Sequence, residues 1–158
     1  MKVQLKEVVS ADTAKWCRLP YPDHPKGCPN FDKKENCPPF APLWNWLVEA
    51  PYYLVYQRFD LEAQEKKMLA KHPNWSKRQA RCCLYWQRKI VKELLNDAEG
   101  VRIGLEYDIN ERFIVIENPE GAGVDLFETC RMAGIQLERD YLHQKYVYKM
   151  VIVAKRLK

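Results

Sequence analysis

Short stretches of alternating apolar and polar residues predict strands near both ends of the chain. Residues 3–9 alternate and are bounded by Ser10, as expected of a half-buried strand. Residues 52–56, a run of aromatic and aliphatic side chains, predict a buried strand at the centre of a sheet. Apolar positions alternate again over residues 146–154, and we expect the last strand there.

Between these strands the chain carries two stretches with helix start and stop signals. Asp60 can act as the N-cap of one helix, which Pro73 ends. Ser76 can cap a second, longer helix that we predict over residues 77–98 and that Gly100 closes.

The second predicted helix has two different sides when its residues are placed about 100° apart around the axis. Cys83 falls on the apolar side and is expected to face the core, whereas Cys82 lies at the boundary. The opposite side is a basic stripe, which carries Arg78, Arg81, Tyr85, Arg88, Lys89 and Lys92.

Beyond this helix the pattern changes back to that of strands. Residues 101–107 and 112–117 are each predicted as a strand, and the turn-like residues 108–110 between them indicate a hairpin. A short helix is expected over residues 125–132, ending at Gly134.

These elements predict the α+β class, because strands and helices are mixed without regular alternation. We expect residues 1–158 to form a single compact domain in which helices flank a mixed or antiparallel sheet. A hydrophobic content of 47% is too high for a disordered chain, and no apolar run approaches the roughly 20 residues of a membrane span. The first residues lack an apolar signal region, so we expect a cytoplasmic protein.

Residues 16–42 interrupt this pattern with a loop rich in cysteine and proline. It holds seven of the ten prolines and three of the six cysteines, which are Cys17, Cys28 and Cys37. Proline fixes φ and removes backbone donors, so hydrogen-bonded secondary structure cannot order this segment. A metal or cluster that gathers three thiolates would order it, because metal binding is coupled to folding.

Reduced cysteines in a cytoplasmic protein are better interpreted as ligands than as disulfides. The prolines that follow Cys28 and Cys37 fit iron–sulfur loops, and the spacing differs from the short Cys-x-x-Cys of common zinc ribbons. The sequence therefore favours a [4Fe–4S] cluster, with Zn²⁺ as the alternative. The candidates for a fourth ligand are Cys83, Cys82, His24 and Cys130.

The order of the motifs around these cysteines is also informative. Cys28-Pro29-Asn30-Phe31 precedes Cys37-Pro38-Pro39, and a cysteine-bearing helix follows. This order resembles that of an uncharacterised cysteine-motif family of predicted metal-binding proteins, in which a Cys-Pro-aromatic element precedes a Cys-Pro-Pro element. The resemblance implies metal binding and does not imply a reaction.

Two functional hypotheses follow from the loop. In the first, the protein is a metal-binding module that holds an iron–sulfur cluster or zinc through the three loop cysteines and one of Cys82 and Cys83. In the second, it is a cluster-dependent enzyme of the sulfur-transfer or lyase type that acts on an anionic substrate such as a nucleic acid or nucleotide. The net charge of +5 permits an anionic partner. Its phosphates would be contacted by Arg78, Arg81, Arg88, Lys89 and Lys92.

Overall fold

The fold is α+β, as predicted, with helices packed on an antiparallel sheet. A computed structural model describes residues 1–20, 24–137 and 143–158. The strands, in the spatial order β1-β2-β4-β3, are β1 (Lys2–Leu5), β2 (Val48–Asp60), β3 (Phe113–Ile116) and β4 (Tyr146–Arg156). The helices are α1 (Thr13–Cys17), α2 (Leu61–Lys71), α3 (Lys77–Ala80), α4 (Gln87–Ile109) and α5 (Leu126–Met132). No helix within the described residues is both long and apolar enough to cross a membrane.

Two long central strands form the framework of the sheet. β2 and β4 pair from Val48 opposite Arg156 to Asp60 opposite Tyr146, with an irregularity between Glu49 and Tyr52. The short strand β3 covers only the C-terminal half of β4, because Ile116 pairs with Ile152 and β3 ends there. The earlier part of β4 therefore extends past the end of β3.

Alternate residues of the central strands bury two separate clusters, as a pleated sheet requires. On one face Leu54 and Ile152 pack with Val124 and Cys130, from the α5 region. On the other face Val55, Val151 and Val153 pack beneath Leu94, Ala98 and Leu105 of α4. The sheet thus lies between α4 on one side and α5 with its preceding loop on the other.

The predicted helix over residues 77–98 is wrong in its middle. Ser76 caps α3 through a capping box with Gln79, as expected of the N-cap, but α3 ends at Ala80. The indole Nε1 of Trp86 donates to the carbonyl oxygen of Arg81 (3.1 Å), which in a continuous helix would accept from the amide of Tyr85. The chain forms a 3-10 turn over Cys83–Tyr85 instead, and α4 begins at Gln87.

The predicted strand over residues 101–107, and with it the hairpin, is also wrong. α4 continues through Gly100 and Gly104 to Ile109 and ends at Asn110, which is left-handed with φ of 56°. Both glycines lie on the open side of the helix, since a Cβ at either would meet nothing within 4 Å. Packing of Leu105 on the sheet outweighs the low helix propensity of these residues.

The remaining elements follow the predictions closely. Asp60 caps α2 by accepting from the amide of Ala63 (2.8 Å), and Asp125 caps α5 by accepting from the amide of Glu128 (3.0 Å). The strand predicted over residues 52–56 is the centre of the longer β2, and the last predicted strand is β4. The first strand, β1, is shorter than predicted.

Candidate metal centre and the adjoining cleft

The first two loop cysteines are joined through the backbone. Cys17 is the last residue of α1, and its carbonyl oxygen accepts a hydrogen bond of 2.7 Å from the amide of Cys28. Gly27, with φ of 83°, makes the turn that brings Cys28 back to α1. Only glycine fits here without displacement, because a Cβ would lie 2.5 Å from the carbonyl oxygen of Cys17.

The third loop cysteine, Cys37, is buried and held from another part of the chain. Its amide donates to the carbonyl of Lys34 (3.0 Å). The side-chain amide of Asn118, in the turn after β3, donates to the carbonyl of Asn36 (2.8 Å) and lies 3.6 Å from the Cys37 sulfur. The loop is therefore attached to the end of β3 at the cysteine itself.

The three loop cysteines share one neighbourhood. Burial raises the pKa of the Cys17 thiol, and the nearby thiols of Cys28 and Cys37 raise it further, followed by Glu120. Within residues 1–20, 24–137 and 143–158, no three side chains of His, Cys, Asp or Glu are close enough to enclose a single metal ion as they stand. The thiols of Cys28 and Cys37 are thus near enough to affect that of Cys17, but the three do not form a closed site.

Cys82 and Cys83 lie in the break between α3 and α4. Cys82 is half-buried and Cys83 is exposed. The expectation that Cys83 faces the core is wrong, because it assumed a helix that is continuous through residue 83. Both cysteines line an open cleft of about 960 Å³, which Cys37 and His24 also line.

Cys130 does not line this cleft and lies in the core cluster beneath α5. It is fully buried on α5, and its sulfur lies 3.4 Å from that of Met150. Burial raises the pKa of its thiol to about 11, with a further contribution from Glu120. This position corresponds to packing, as for most buried cysteines.

The cleft lies where β4 extends past β3. Lys149 of β4 and Glu120 of the turn after β3 both line it. Burial lowers the pKa of Lys149, while the nearby Cys83 and Glu120 favour its charged form. Neighbouring protein atoms likewise raise the pKa of Glu120 by desolvation, although the residue as a whole is exposed.

The five basic residues predicted as one stripe do not share one surface. Arg81 is buried and forms an ion pair with Glu65, and its guanidinium also donates to the carbonyl of Gln144 (3.0 Å). Arg78, on α3, is exposed beside the cleft. The other three are exposed on the first turns of α4, and these are Arg88, Lys89 and Lys92.

These three cations border a shallow groove of about 370 Å³. Leu84 and Tyr85, 82% and 51% exposed, line the groove with them. The Tyr85 ring lies 5.1 Å from that of Trp75, which in turn stacks on His72 at 4.2 Å. We call this surface the α4 groove.

Three residues of the site were missed from the sequence: Asn118, Glu120 and Lys149. Asn118 and Glu120 belong to no recognisable motif, and residues 119–123 form a turn. Lys149 had a usable signal, because it is the one charged residue among the otherwise apolar and aromatic residues 146–154. A scan against protein-family models finds no match, and searches of curated proteins and of solved structures likewise find none. Membership of the cysteine-motif family therefore stays a prediction.

Proposed function

We propose that this protein binds a [4Fe–4S] cluster through the thiolates of Cys17, Cys28 and Cys37. It is supported by the backbone hydrogen bond that joins Cys28 to Cys17, and by the effect of both other loop thiols on that of Cys17. The amide of Asn118, beside the Cys37 sulfur, is the kind of donor that surrounds cluster thiolates. Thiols of such sites reach their final separation when the metal binds, since binding and local folding are coupled.

Cys82 and Cys83 are the remaining candidate ligands of this centre. Either thiol could complete the ligand set, because both line the cleft that Cys37 also lines. If neither does, the cluster keeps one iron that can act as a Lewis acid toward a molecule in the cleft. The first arrangement is a metal-binding module, and the second is an enzyme of the sulfur-transfer or lyase type.

Zinc is the alternative occupant of the same residues. A structural zinc site needs four ligands, so the zinc version of the proposal requires Cys82 or Cys83, or His24 as a nitrogen ligand. An iron–sulfur cluster can also be held by three cysteines. Replacement of Cys82 and Cys83 therefore distinguishes the two metals, because a cluster could still bind to the variant, whereas zinc would then need His24.

The test is purification and cluster reconstitution without oxygen. We expect a brown protein with a broad absorption shoulder near about 400 nm, together with iron and sulfide in equal amounts. Cys17→Ser, Cys28→Ser and Cys37→Ser should each remove the colour, whereas Cys130→Ala should keep it. A colourless protein with one zinc per chain would show that the site binds zinc instead of a cluster. A metal-free chain that stays folded in chelator would refute both versions of the proposal.

A second candidate function, nucleic-acid contact through the α4 groove, is favoured by a separate observation. Three exposed cations there line the groove together with the exposed ring of Tyr85, which contacts the ring of Trp75. Single-stranded nucleic acid is bound by this combination of phosphate contacts and stacking on aromatic rings. The residues now proposed are Tyr85, Arg88, Lys89 and Lys92, without the buried Arg81.

A further inference from the structure

We propose that the cleft beside the loop cysteines binds a small molecule that carries an oxyanion, a phosphate or a carboxylate, and that Lys149 is the charge that holds it. The binding itself needs only the cleft. The ligand's role as a substrate of the metal centre rests on the function proposed above.

The position of Lys149 on β4 is the first step. Its side chain lies on the same face of the sheet as those of Val151 and Val153, which are buried under α4. A charged group in such surroundings is costly unless a counter-charge or strong hydrogen bonds compensate it. The half-buried ammonium forms no ion pair with the described carboxylates.

Although Lys149 is half-buried, it lines the open cleft and can be reached by a ligand. The part of β4 that extends past β3 forms one wall of the cleft, from Val147 to Val151. Glu120 is the carboxylate that acts on Lys149 through space, and the two do not form an ion pair. A ligand oxyanion entering the cleft could therefore give Lys149 the direct counter-charge that Glu120 does not.

The other groups of the cleft define the ligand further. Besides Lys149, its charged side chains are Lys34, Arg78, Arg81, Glu117 and Glu120. Arg81 is paired with Glu65, and the exposed Lys34 is a further cation of the lining. Apolar and aromatic side chains form the rest of the wall, among them Trp86, Phe127 and Tyr148. This lining fits a molecule with an anionic head and an apolar or aromatic body, and the volume of about 960 Å³ admits one of ordinary metabolite size.

The proposed anion site lies beside three of the cysteines. Cys37, Cys82 and Cys83 line the same cleft as Lys149, and Cys83 is close enough to affect the pKa of the lysine. A ligand whose oxyanion is fixed at Lys149 would hold its body within the space that these sulfurs face. Such fixed positioning of a reactant beside a metal is a large part of what an enzyme supplies.

The experiment titrates the full-length chain, purified without oxygen, with phenyl phosphate, benzoate, inorganic phosphate and neutral benzyl alcohol by calorimetry. Phenyl phosphate and benzoate distinguish the two oxyanions, and benzyl alcohol tests the ring without the charge. The variants are Lys149→Met, Lys149→Arg, and Lys158→Met as a control with the same net charge, since Lys158 has an 84% exposed side chain.

We expect saturable binding of at least one aromatic oxyanion and none of benzyl alcohol. Lys149→Met should weaken that binding by at least about tenfold, which corresponds to about 1.4 kcal/mol. Lys149→Arg should restore part of it and Lys158→Met should leave it unchanged. Thermal unfolding of Lys149→Met should be unchanged or shifted upward, because the variant removes a half-buried charge, and this result excludes loss of folding as the cause.

Three outcomes would overturn the inference: no saturable binding of any of the three anions, equal binding by Lys149→Met, or equal binding of benzyl alcohol. The outcome is separate from that of the metal proposal. A colourless, metal-free protein that binds anions through Lys149 refutes only the metal centre. A brown protein that binds anions equally well with and without Lys149 refutes only this inference.

Discussion

The amide of Cys28 and the carbonyl oxygen of Cys17 are 2.7 Å apart, and this hydrogen bond ties the loop to the end of α1. It forms in the turn at Gly27, whose missing side chain leaves room for the Cys17 carbonyl. The approach of two proposed ligands thus depends on a residue that is not itself a ligand.

Gly27→Ala should separate Cys17 from Cys28 and prevent cluster incorporation. The new methyl group would lie 2.5 Å from the carbonyl oxygen of Cys17, and a backbone atom cannot move away as a flexible side chain could. The measurement is iron content and absorption after reconstitution, together with the midpoint of thermal unfolding.

Gly134→Ala is the matched control for this prediction. Gly134 also has a positive φ, 76°, but a Cβ there meets nothing within 4 Å. Both variants therefore carry the conformational penalty of a left-handed residue, of about 1–2 kcal/mol, and only Gly27→Ala adds the clash. Equal cluster content and equal unfolding midpoints in the two variants would contradict the role given to Gly27.

Asn118→Asp should weaken the metal centre more than Asn118→Ala. The alanine removes the amide that lies 3.6 Å from the Cys37 sulfur, and the aspartate adds a negative charge at the same place. Loss of such supporting contacts typically lowers metal affinity by about 10- to 100-fold. A chelator competition measures it, with the exposed Asn45→Ala as the control. The reverse order, or no effect of either change, would count against a ligand role for Cys37.

Arg81→Met should destabilise the fold, by about 3 kcal/mol. The side chains of Arg81 and Glu65 are only 8% and 11% exposed, so the variant leaves a carboxylate with little solvent. Lys77, 3.9 Å from Glu65, compensates part of the loss, which is why the lower end of the usual range is expected. Chemical denaturation measures the change. The double variant Arg81→Met, Glu65→Met should recover most of the stability, and a double variant no more stable than the single one would contradict the explanation.

Binding of single-stranded RNA or DNA should depend on the α4 groove and on salt. Arg88→Glu and Lys89→Glu should each reduce the slope of log affinity against log salt by about 1, because each removes a phosphate contact. Tyr85→Ala should weaken binding with little change of slope, since stacking is not ionic. Lys15→Glu, an exposed change of equal charge, is the control. An equal loss of affinity in the control and in the groove variants would refute nucleic-acid binding through the α4 groove.

Acid should destabilise the protein partly through Glu106. The amide of Phe113 donates to its carboxylate (2.9 Å) and lowers the Glu106 pKa below the usual 4.5, with a further contribution from Arg102. The folded state then has the lower pKa, so the stabilisation is complete well above pH 4.5 and is lost as the pH falls below it. Thermal unfolding at pH 7 and pH 3 should show a smaller pH difference for Glu106→Gln than for wild type. The exposed Glu7→Gln should behave as wild type.

The sequence was sufficient where a local signal decides the structure. Asp60 and Ser76 were each recognised as N-caps, because capping depends on a side chain and the next few amides. The strands around Leu54 and Ile152 were found because their apolar pattern matches burial in a sheet.

The sequence-based predictions failed where residues distant in the chain determine the local structure. The local sequence does not reveal that the indole of Trp86 donates to the carbonyl of Arg81. Nor does it reveal that the Arg81 side chain binds Glu65 and Gln144. Both interactions accompany the break in the helix. Cys83 was assigned to the wrong environment for the same reason. Lys149 could not be assigned a site, because Glu120 and Cys83 approach it only through the tertiary fold.

The attachment of the cysteine loop to late parts of the chain has a consequence for the order of biosynthesis. All three loop cysteines leave the ribosome well before Asn118, which contacts Cys37, and before Ala122, whose carbonyl accepts from the amide of Trp44 (2.9 Å). β4, which pairs with both β2 and β3, is made after both of them. Since folding of a domain proceeds only as its segments emerge, the surroundings of the cysteines are complete only once these later segments have been made. The proposed metal would therefore enter the complete site only after Asn118 and β4 have been made.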